Sequence, residues 1–170
     1  MEVYDWEDLH DTINVDEVVA ISFAKMRLDV LPDDLEKYKN VQYLILRKNR
    51  LTELPDFIAE FKELRYIDLS LNRLTELPGE ICGLPKLEEL ILNRNEISSL
   101  PMCISEAMQL TYIDLWNNPV RSLPITMKEL SHLKKVDLSG IKFAPSFQER
   151  WINAMPQVTF VFEEPCDCME

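Results

Sequence analysis

The stretch LRYIDLSLNRLTELPGEICGLPK, residues 64–86, repeats part of the stretch before it. LTELP at 51–55 returns as LTELP at 74–78, 23 residues later. A chance match would decay on either side, but here the apolar positions keep the same interval. The first positions of the successive units fall at Val18, Val41, Leu64, Leu87, Leu110 and Leu133. A constant step with no insertion or deletion predicts a repeat architecture.

Two further columns keep the same step. Leu followed by Pro occupies the fourteenth and fifteenth positions of the first five units: Leu31-Pro32, Leu54-Pro55, Leu77-Pro78, Leu100-Pro101 and Leu123-Pro124. Asn occupies the ninth position of the four central units: Asn49, Asn72, Asn95 and Asn118. We interpret both columns as structural. A short amide at the end of a strand can hydrogen-bond the backbone of its own and the adjacent coil, and proline suits an extended return segment or the first position of a helical turn.

The alternation within each unit predicts one short strand. In LxxLxL the fourth and sixth positions are apolar and alternate with positions open to water, which is typical of a strand buried on one face. Each unit must return to start the next, so successive strands should run parallel. The inward residues of one unit, such as Leu90, Leu92 and Ile97, are too few to form a core alone. Stacking of the units would make the core continuous.

The pattern LxxLxLxxNxLxxLPxxIxxLxx resembles the leucine-rich repeat in its 23-residue form with LP in each unit. Ras-suppressor-like proteins, plant Ras-group-related proteins and many bacterial proteins carry similar repeats. The resemblance covers about residues 18–143. It implies an α/β fold: a right-handed solenoid with a parallel concave sheet and helical caps. It also implies a non-catalytic domain that binds other proteins on that concave sheet, without identifying the partner.

Charge is concentrated at the two ends of the chain. The formal net charge is −12, but residues 1–17 hold seven acids and no Lys or Arg, and residues 163–170 hold four acids and no base. The segment between them carries 19 acids and 18 bases. Nucleic-acid binding needs a basic footprint, so this distribution argues against a nucleic-acid partner.

The chain shows no sign of membrane insertion or export. No stretch approaches 18 continuous apolar residues, and the amino terminus MEVYDWEDLHDT has neither a basic nor an apolar targeting region. We therefore expect a cytoplasmic protein with no membrane partner. Four cysteines are present, and we interpret Cys82 and Cys103 as free thiols because they fall at different places in neighbouring units. Cys166 and Cys168 are too few for a metal site, so no metal or cofactor is expected.

A solenoid exposes its core at each end, so both ends should be capped. Residues 1–17 form the predicted amino-terminal acidic cap, with an amphipathic helix over 2–14 that buries Val3, Trp6, Leu9, His10 and Ile13. Residues 18–143 hold six repeat units, the last incomplete. Residues 144–162 should add a helix over SFQERWINAM and a closing strand, VTFVF, followed by a flexible acidic tail over 163–170. Ser146 and Glu149 have capping-box spacing, and Phe147, Trp151 and Ile152 offer the helix an apolar face.

The closing strand raises the question of oligomeric state. An exposed apolar edge strand invites pairing with another chain, and Glu163, Glu164 and Pro165 directly after it are residues that discourage such pairing. We expect a monomer. The alternative is a dimer built through this edge.

The candidate binding site is the concave face, whose residues the fold does not dictate. The second, third, fifth, seventh and eighth positions of each unit point to this face or form its rim. Tyr, Trp, Arg and exposed Ile are residues that protein interfaces favour. The predicted partner-binding residues are Tyr43, Ile45, Arg47, Tyr66, Asp68, Ile91, Asn93, Tyr112, Asp114 and Trp116.

Neither His10 nor His132 lies in a recognisable catalytic or metal motif, so we expect no enzymatic activity and no catalytic residue. The favoured function is a protein–protein interaction module, of the kind used as a signalling scaffold. Two alternatives stay open. One is a regulator of a small GTPase or signalling enzyme, which rests on the resemblance alone, and the other is an architectural protein that oligomerises through its edge strand.

Overall fold

The computed structural model describes residues 2–9 and 13–162, and they form one eight-stranded parallel sheet. The strands lie side by side in chain order, so each repeat adds one strand next to the previous one. They are β1 Tyr4–Asp5, β2 Ala20–Ser22, β3 Tyr43–Ile45, β4 Tyr66–Asp68, β5 Glu89–Ile91, β6 Tyr112–Asp114, β7 Lys135–Leu138 and β8 Thr159–Phe162. The predicted solenoid is confirmed.

The register of the sheet follows the repeat. Leu44 pairs with Ile67, and Leu90 pairs with Ile113, each 23 residues apart. These inward side chains are fully buried and belong to one continuous core cluster that runs through all six units. Beyond β7 the step grows to 24, because Phe160 pairs with Val136. Phe160 therefore takes the fourth position of its unit, on the core side of the sheet.

Short 3₁₀ helices return the chain from one strand to the next. In the LP-containing units the helix begins directly after the proline, whose carbonyl accepts a hydrogen bond from the amide three residues later, as in Pro55 O with Ile58 N at 3.0 Å. The Pro residues have φ between −65° and −72°, which their rings favour. These helices span Asp33–Lys37, Asp56–Glu60, Gly79–Gly83, Met102–Glu106 and Ile125–Glu129.

The Asn column ties adjacent coils together. The Asn72 Nδ2 donates to the Leu46 carbonyl of the preceding coil at 3.0 Å and to the Leu69 carbonyl of its own coil at 2.9 Å. Its Oδ1 accepts from the Leu51 amide at 3.1 Å. The same three contacts recur at the other members of the column, so each side chain satisfies three backbone groups at the bend: Asn49, Asn95 and Asn118.

The helix predicted over residues 2–14 is wrong for the described residues. They form β1, a 3₁₀ helix at Trp6–Asp8 and another at Val15–Glu17. Tyr4 pairs with Ile21, so this segment satisfies backbone groups on the free edge of β2, which a helix could not do. Trp6, Leu9 and Ile13 still pack on the core, whereas Val3 is 44% exposed. His10 lies outside the described residues.

The carboxyl-terminal helix is present as α1, Pro145–Ala154. It begins one residue before the predicted Ser146, because Pro145 occupies its first turn and Ala144 its N-cap, and no side chain caps it. The predicted capping box is therefore absent. Trp151 is buried on the core as expected, but Ile152 is 47% exposed and is not part of the apolar face.

Cys82 and Cys103 form a disulfide, so the interpretation of both as free thiols is wrong. Their Cα atoms are 5.7 Å apart, within the usual range for a disulfide. The reason lies in the 3₁₀ geometry. Gly79 and Cys82 are one 3₁₀ turn apart and share a face, and Cys103 of the next unit packs against that face, with its Sγ 3.8 Å from the Gly79 carbonyl oxygen.

None of the helices in the described part of the chain is long and apolar enough to cross a bilayer. The predicted acidic tail, with Cys166 and Cys168, lies outside the described residues.

Candidate functional site

The face of the sheet opposite the core carries the candidate site. We call it the open face and define it by the third, fifth and seventh positions of each unit. The register aligns these positions across the strands, so that Ile45, Asp68 and Ile91 are neighbours in one row and Tyr43 and Tyr66 in another. Eight of the ten predicted partner-binding residues are partly buried there: Tyr43, Ile45, Tyr66, Ile91, Asn93, Tyr112, Asp114 and Trp116. The other two are Arg47, which is exposed, and Asp68, which is buried.

On β3–β5 the open face carries two tyrosines and two isoleucines besides its polar residues. The rings of Tyr43 and Tyr66 lie 6.2 Å apart at a tilt of 33°, a packed aromatic pair on adjacent strands. Ile45 and Ile91 lie on either side of Asp68, which is only 7% exposed and accepts a hydrogen bond from the Ser70 amide at 2.9 Å. The Asp68 carboxylate is therefore engaged with its own backbone, and little of it is left for a partner.

On β6 the open face carries a row of residues that runs along the strand: Tyr112, Asp114 and Trp116. The Asp114 Oδ2 accepts a hydrogen bond from the Asn93 Nδ2 at 2.7 Å, and its Oδ1 accepts from the Trp116 amide at 3.0 Å. Tyr112 lies on the same strand and the same face, with the Lys135 ammonium 5.1 Å from its ring centroid. These contacts hold the row in a defined arrangement in the free protein.

Trp116 is fixed on both sides. The Arg94 guanidinium lies over its ring at 4.6 Å, a cation–π contact. On the other side is Gly140, where an added Cβ would lie 3.2 Å from the indole. Gly140 also has a φ of +76°, which glycine adopts without strain. The indole is thus pre-positioned at the end of β6, and a larger residue at 140 would disturb it.

Burial and neighbouring acids alter the titration of this row. Burial raises the pKa of Tyr112 to about 12, and the nearby Asp114, Asp137 and Glu89 carboxylates add to that rise. Burial also raises the pKa of Asp114 above 3.8, although the hydrogen bonds from the Trp116 amide and the Asn93 side chain oppose the change. The pKa of Tyr66 is raised chiefly by burial as well. A negative, partly desolvated environment therefore surrounds the aromatic rings of β4 and β6.

Sequence reasoning missed three residues of this site: Arg94, Lys135 and Gly140. Lys135 occupies the third position of its unit, whereas Arg94 and Gly140 share the eighth position of the repeat, which carried the signal. Every unit places that residue in the left-handed region, from Lys25 with φ 67° to Asn117 with φ 55°. A glycine in a column otherwise occupied by larger residues indicates that something lies close to it, and here the neighbour is Trp116.

The arrangement provides contact surface and not an obvious reactive centre. Within the described residues, no group of three or more His, Cys, Asp or Glu side chains is placed to hold a metal ion. Aromatic rings, half-buried isoleucines and a fixed cation–π pair lie together on one face. These are the side chains that supply most of the binding energy at protein interfaces.

Comparison with known proteins agrees with this geometry. The family model described as leucine rich repeat matches residues 39–97. A solved structure, that of a leucine-rich repeat protein of Leptospira interrogans, superposes with a TM-score of 0.74 at 25% sequence identity. The alignment covers 88% of this chain and 44% of that one, so the chain spans less than half the length of this relative. No curated protein matches the sequence.

Proposed function

We propose that the chain, which is a leucine-rich repeat protein, is a non-catalytic module that binds a protein partner on its open face. The observation that supports this proposal most is Trp116, a large aromatic side chain held between Arg94 and Gly140 at the end of β6. A fixed aromatic loses little conformational entropy on binding, which favours it as an interface anchor. Tyr112 on the same strand and Ile91 on the neighbouring strand extend the apolar surface around it.

The site that we propose consists of Tyr43, Ile45, Arg47, Tyr66, Ile91, Asn93, Tyr112, Asp114 and Trp116. We leave Asp68 out of the contact surface, because its carboxylate is buried and accepts a hydrogen bond from the Ser70 amide.

The test uses crosslinking mass spectrometry in lysate of the source cells, with the full chain as bait. A partner is accepted only if its crosslinks map to the strands of the open face. Its affinity is then measured with purified proteins. Trp116→Ala should weaken the complex by about 2 kcal/mol or more, the scale of an interface anchor. The matched control is Ile125→Ala, which removes a 55% exposed apolar side chain from a 3₁₀ helix and should leave affinity unchanged.

A folded Trp116→Ala variant that binds every crosslinked partner as tightly as the wild type would contradict the proposal. If the partner is a small GTPase, capture should also depend on whether GTP or GDP is bound. That dependence would distinguish the regulatory version of the function from a passive scaffold.

Oligomerisation through β8 is a second candidate. β8 is the last strand of the sheet, and within the described residues it pairs only with β7. Its partly buried Val161 lies next to Asp137 on the open face. Light scattering tests this function, since edge pairing would make the measured mass rise with protein concentration, whereas a constant monomer mass would exclude it.

A further inference from the structure

A row of basic side chains follows the ends of β2–β5. These residues occupy the seventh, eighth and tenth positions of the first four units, and every one of them is exposed. We call the set the basic strip: Lys25, Arg27, Arg47, Lys48, Arg50, Arg73 and Arg94. It contains five of the eight arginines in the chain. The repeats as a whole are close to neutral, so their net charge does not reveal that these basic residues are grouped together.

Backbone hydrogen bonds align the strip across the coils. The Lys25 amide donates to the Arg47 carbonyl of the next coil at 3.0 Å, and the Lys48 amide donates to the Ser70 carbonyl at 2.9 Å. Three coils along, the Arg94 amide donates to the Trp116 carbonyl at 2.9 Å. The eighth position of one unit therefore lies beside the seventh position of the next. The basic residues consequently follow one edge of the sheet.

The opposite edge, where the strands begin, is different. There two bases are paired with acids of adjacent units: Arg65 with Glu88, and Lys86 with Glu63 at 2.5 Å. Within the described residues, no member of the basic strip has a carboxylate within 4.0 Å. Arg94 instead makes a cation–π contact with the Trp116 ring. Arg65 and Lys86 thus already have carboxylate partners, whereas the cations of the strip have none in the described part of the chain.

We propose that the basic strip is a second interaction surface, which binds a short carboxylate-rich segment of a protein. Arginine supports this choice, because its planar fork donates two parallel hydrogen bonds to a carboxylate. The strip crosses three unit steps, or about 14 Å at the usual strand spacing. An extended acidic segment of about four or five residues would match that length.

The ends of the strip favour such a short segment over a nucleic acid. In the fourth unit the tenth position changes from arginine to Glu96. At the first unit, Lys25 shares a cavity of about 250 Å³ with Asp5 and Glu7. A long polyanion would continue past the strip into these acids, on a protein whose net charge is −12. A short acidic segment ends before it reaches them.

The test measures binding of a fluorescein-labelled peptide of alternating Glu and Gly, eight residues long, to the full chain at about 0.15 M salt. The same peptide with Gln in place of Glu is the probe control. Arg47→Gln/Arg50→Gln/Arg73→Gln should weaken binding about tenfold or more, since three exposed carboxylate contacts are lost. These three positions are outside the left-handed region, so glutamine adds no backbone strain.

The matched control is Lys62→Gln/Lys134→Gln/Lys142→Gln, which removes the same charge from exposed positions outside the strip. It should change affinity by less than about twofold. Arg47→Lys/Arg50→Lys/Arg73→Lys keeps the charge and should give intermediate affinity if the guanidinium fork matters. Arg47 belongs to both surfaces, so the separating variant is Ile91→Ala, which lies on the open face alone and should leave peptide binding unchanged.

Three results would overturn the proposal: no binding of the glutamate peptide up to millimolar concentration, equal weakening by the two glutamine triples, or tighter binding of a thymidine oligonucleotide of the same length. The last would assign the strip to phosphate polymers. Circular dichroism of each variant shows whether it folds like the wild type before its binding is compared.

Discussion

A tryptophan covers each end of the solenoid, but the two caps are built differently. At the amino-terminal end, Trp6 lies in a three-residue 3₁₀ helix and stacks on Phe23 at 4.7 Å, with part of its surface open to water. At the carboxyl-terminal end, Trp151 lies in the ten-residue α1 and is 1% exposed. Phe147 and Phe160 pack against it, and Phe143 and Phe162 pack in turn on those two rings. The second cap excludes more water, so we expect it to hold its end of the array more firmly.

This difference matters because the stability of a stacked array comes from each unit and its contacts with its neighbours. A weak cap allows the terminal unit to open locally, whereas a strong cap couples the end to the rest of the array. The amino-terminal strand has only two residues, Tyr4–Asp5, against four in Thr159–Phe162. We therefore expect local opening to begin at the amino-terminal end.

The largest effect is expected for Trp151→Ala. Removal of a buried indole leaves a cavity among the surrounding phenylalanines, so the free energy of unfolding should fall by about 3–5 kcal/mol. Chemical denaturation measures the loss, and hydrogen exchange should show it as reduced protection of β7 and β8.

Trp151→Phe serves as the control. The Trp151 Nε1 is buried without a hydrogen-bond partner within the described residues, so phenylalanine removes an unsatisfied group while it keeps most of the apolar volume. Its cost should be below about 1.5 kcal/mol. Equal losses for the two variants would mean that the indole nitrogen, and not its volume, holds this cap.

The next effect is expected in the middle of the array, at Asn72→Ala. The side chain satisfies the Leu46 and Leu69 carbonyls and the Leu51 amide, and alanine leaves all three without that partner. The free energy of unfolding should fall by about 1–3 kcal/mol. Asn153→Ala, on the exposed face of α1, should change it by less than about 0.5 kcal/mol. A denaturation midpoint for Asn72→Ala equal to that of the wild type would remove the structural role of the Asn column.

A smaller effect is expected for Trp6→Ala. The ring is half-buried and sits on a short 3₁₀ helix, so its loss should cost about 1–2 kcal/mol. Hydrogen exchange should increase in β1 and β2 and stay unchanged in β7 and β8. Val3→Ala, at a 44% exposed position, should have no measurable effect. A loss as large as that of Trp151→Ala, spread over all strands, would show that the two caps are equivalent.

The repeat made the interior predictable and left the ends and the bends uncertain. A constant step of 23 residues placed the strands from β2 to β7, because each buried leucine has an equivalent in the next unit. The amino-terminal segment has no such equivalent. Its helical spacing suggested an amphipathic helix, but the free edge of β2 offered backbone hydrogen bonds that side-chain periodicity does not encode.

The sequence predicted which positions form the open face, but not how far each side chain there is exposed to solvent. Asp68 and Asp114 occupy equivalent positions in their units, yet Asp68 is flanked by two isoleucines and is buried, while Asp114 borders Asp137 and keeps a partner in Asn93. The disulfide was missed for a similar reason. When the repeat units are aligned, Cys82 and Cys103 occupy different positions of the unit. The three-residue turn of the 3₁₀ helix nevertheless brings their side chains together.

The smallest effect is expected on the open face, away from both caps, for Asp114→Asn. Burial raises the pKa of Asp114 in the folded protein above 3.8, so the native state holds this proton more tightly than the unfolded state does. The contribution to stability is therefore fully present below pH 3.8 and is lost as the pH rises through the raised pKa. Asparagine does not titrate, so the stability of the wild type relative to the variant should decline between about pH 3 and pH 7, by less than about 1 kcal/mol.

Tyr112→Phe is the control, because the Tyr112 pKa of about 12 lies far above this range and its loss should leave the pH dependence unchanged. Urea denaturation across this pH range measures both differences. If the wild type instead gains stability over Asp114→Asn as the pH rises, the pKa of the Asp114 carboxylate is controlled by the hydrogen bonds from Asn93 and Trp116 and not by burial.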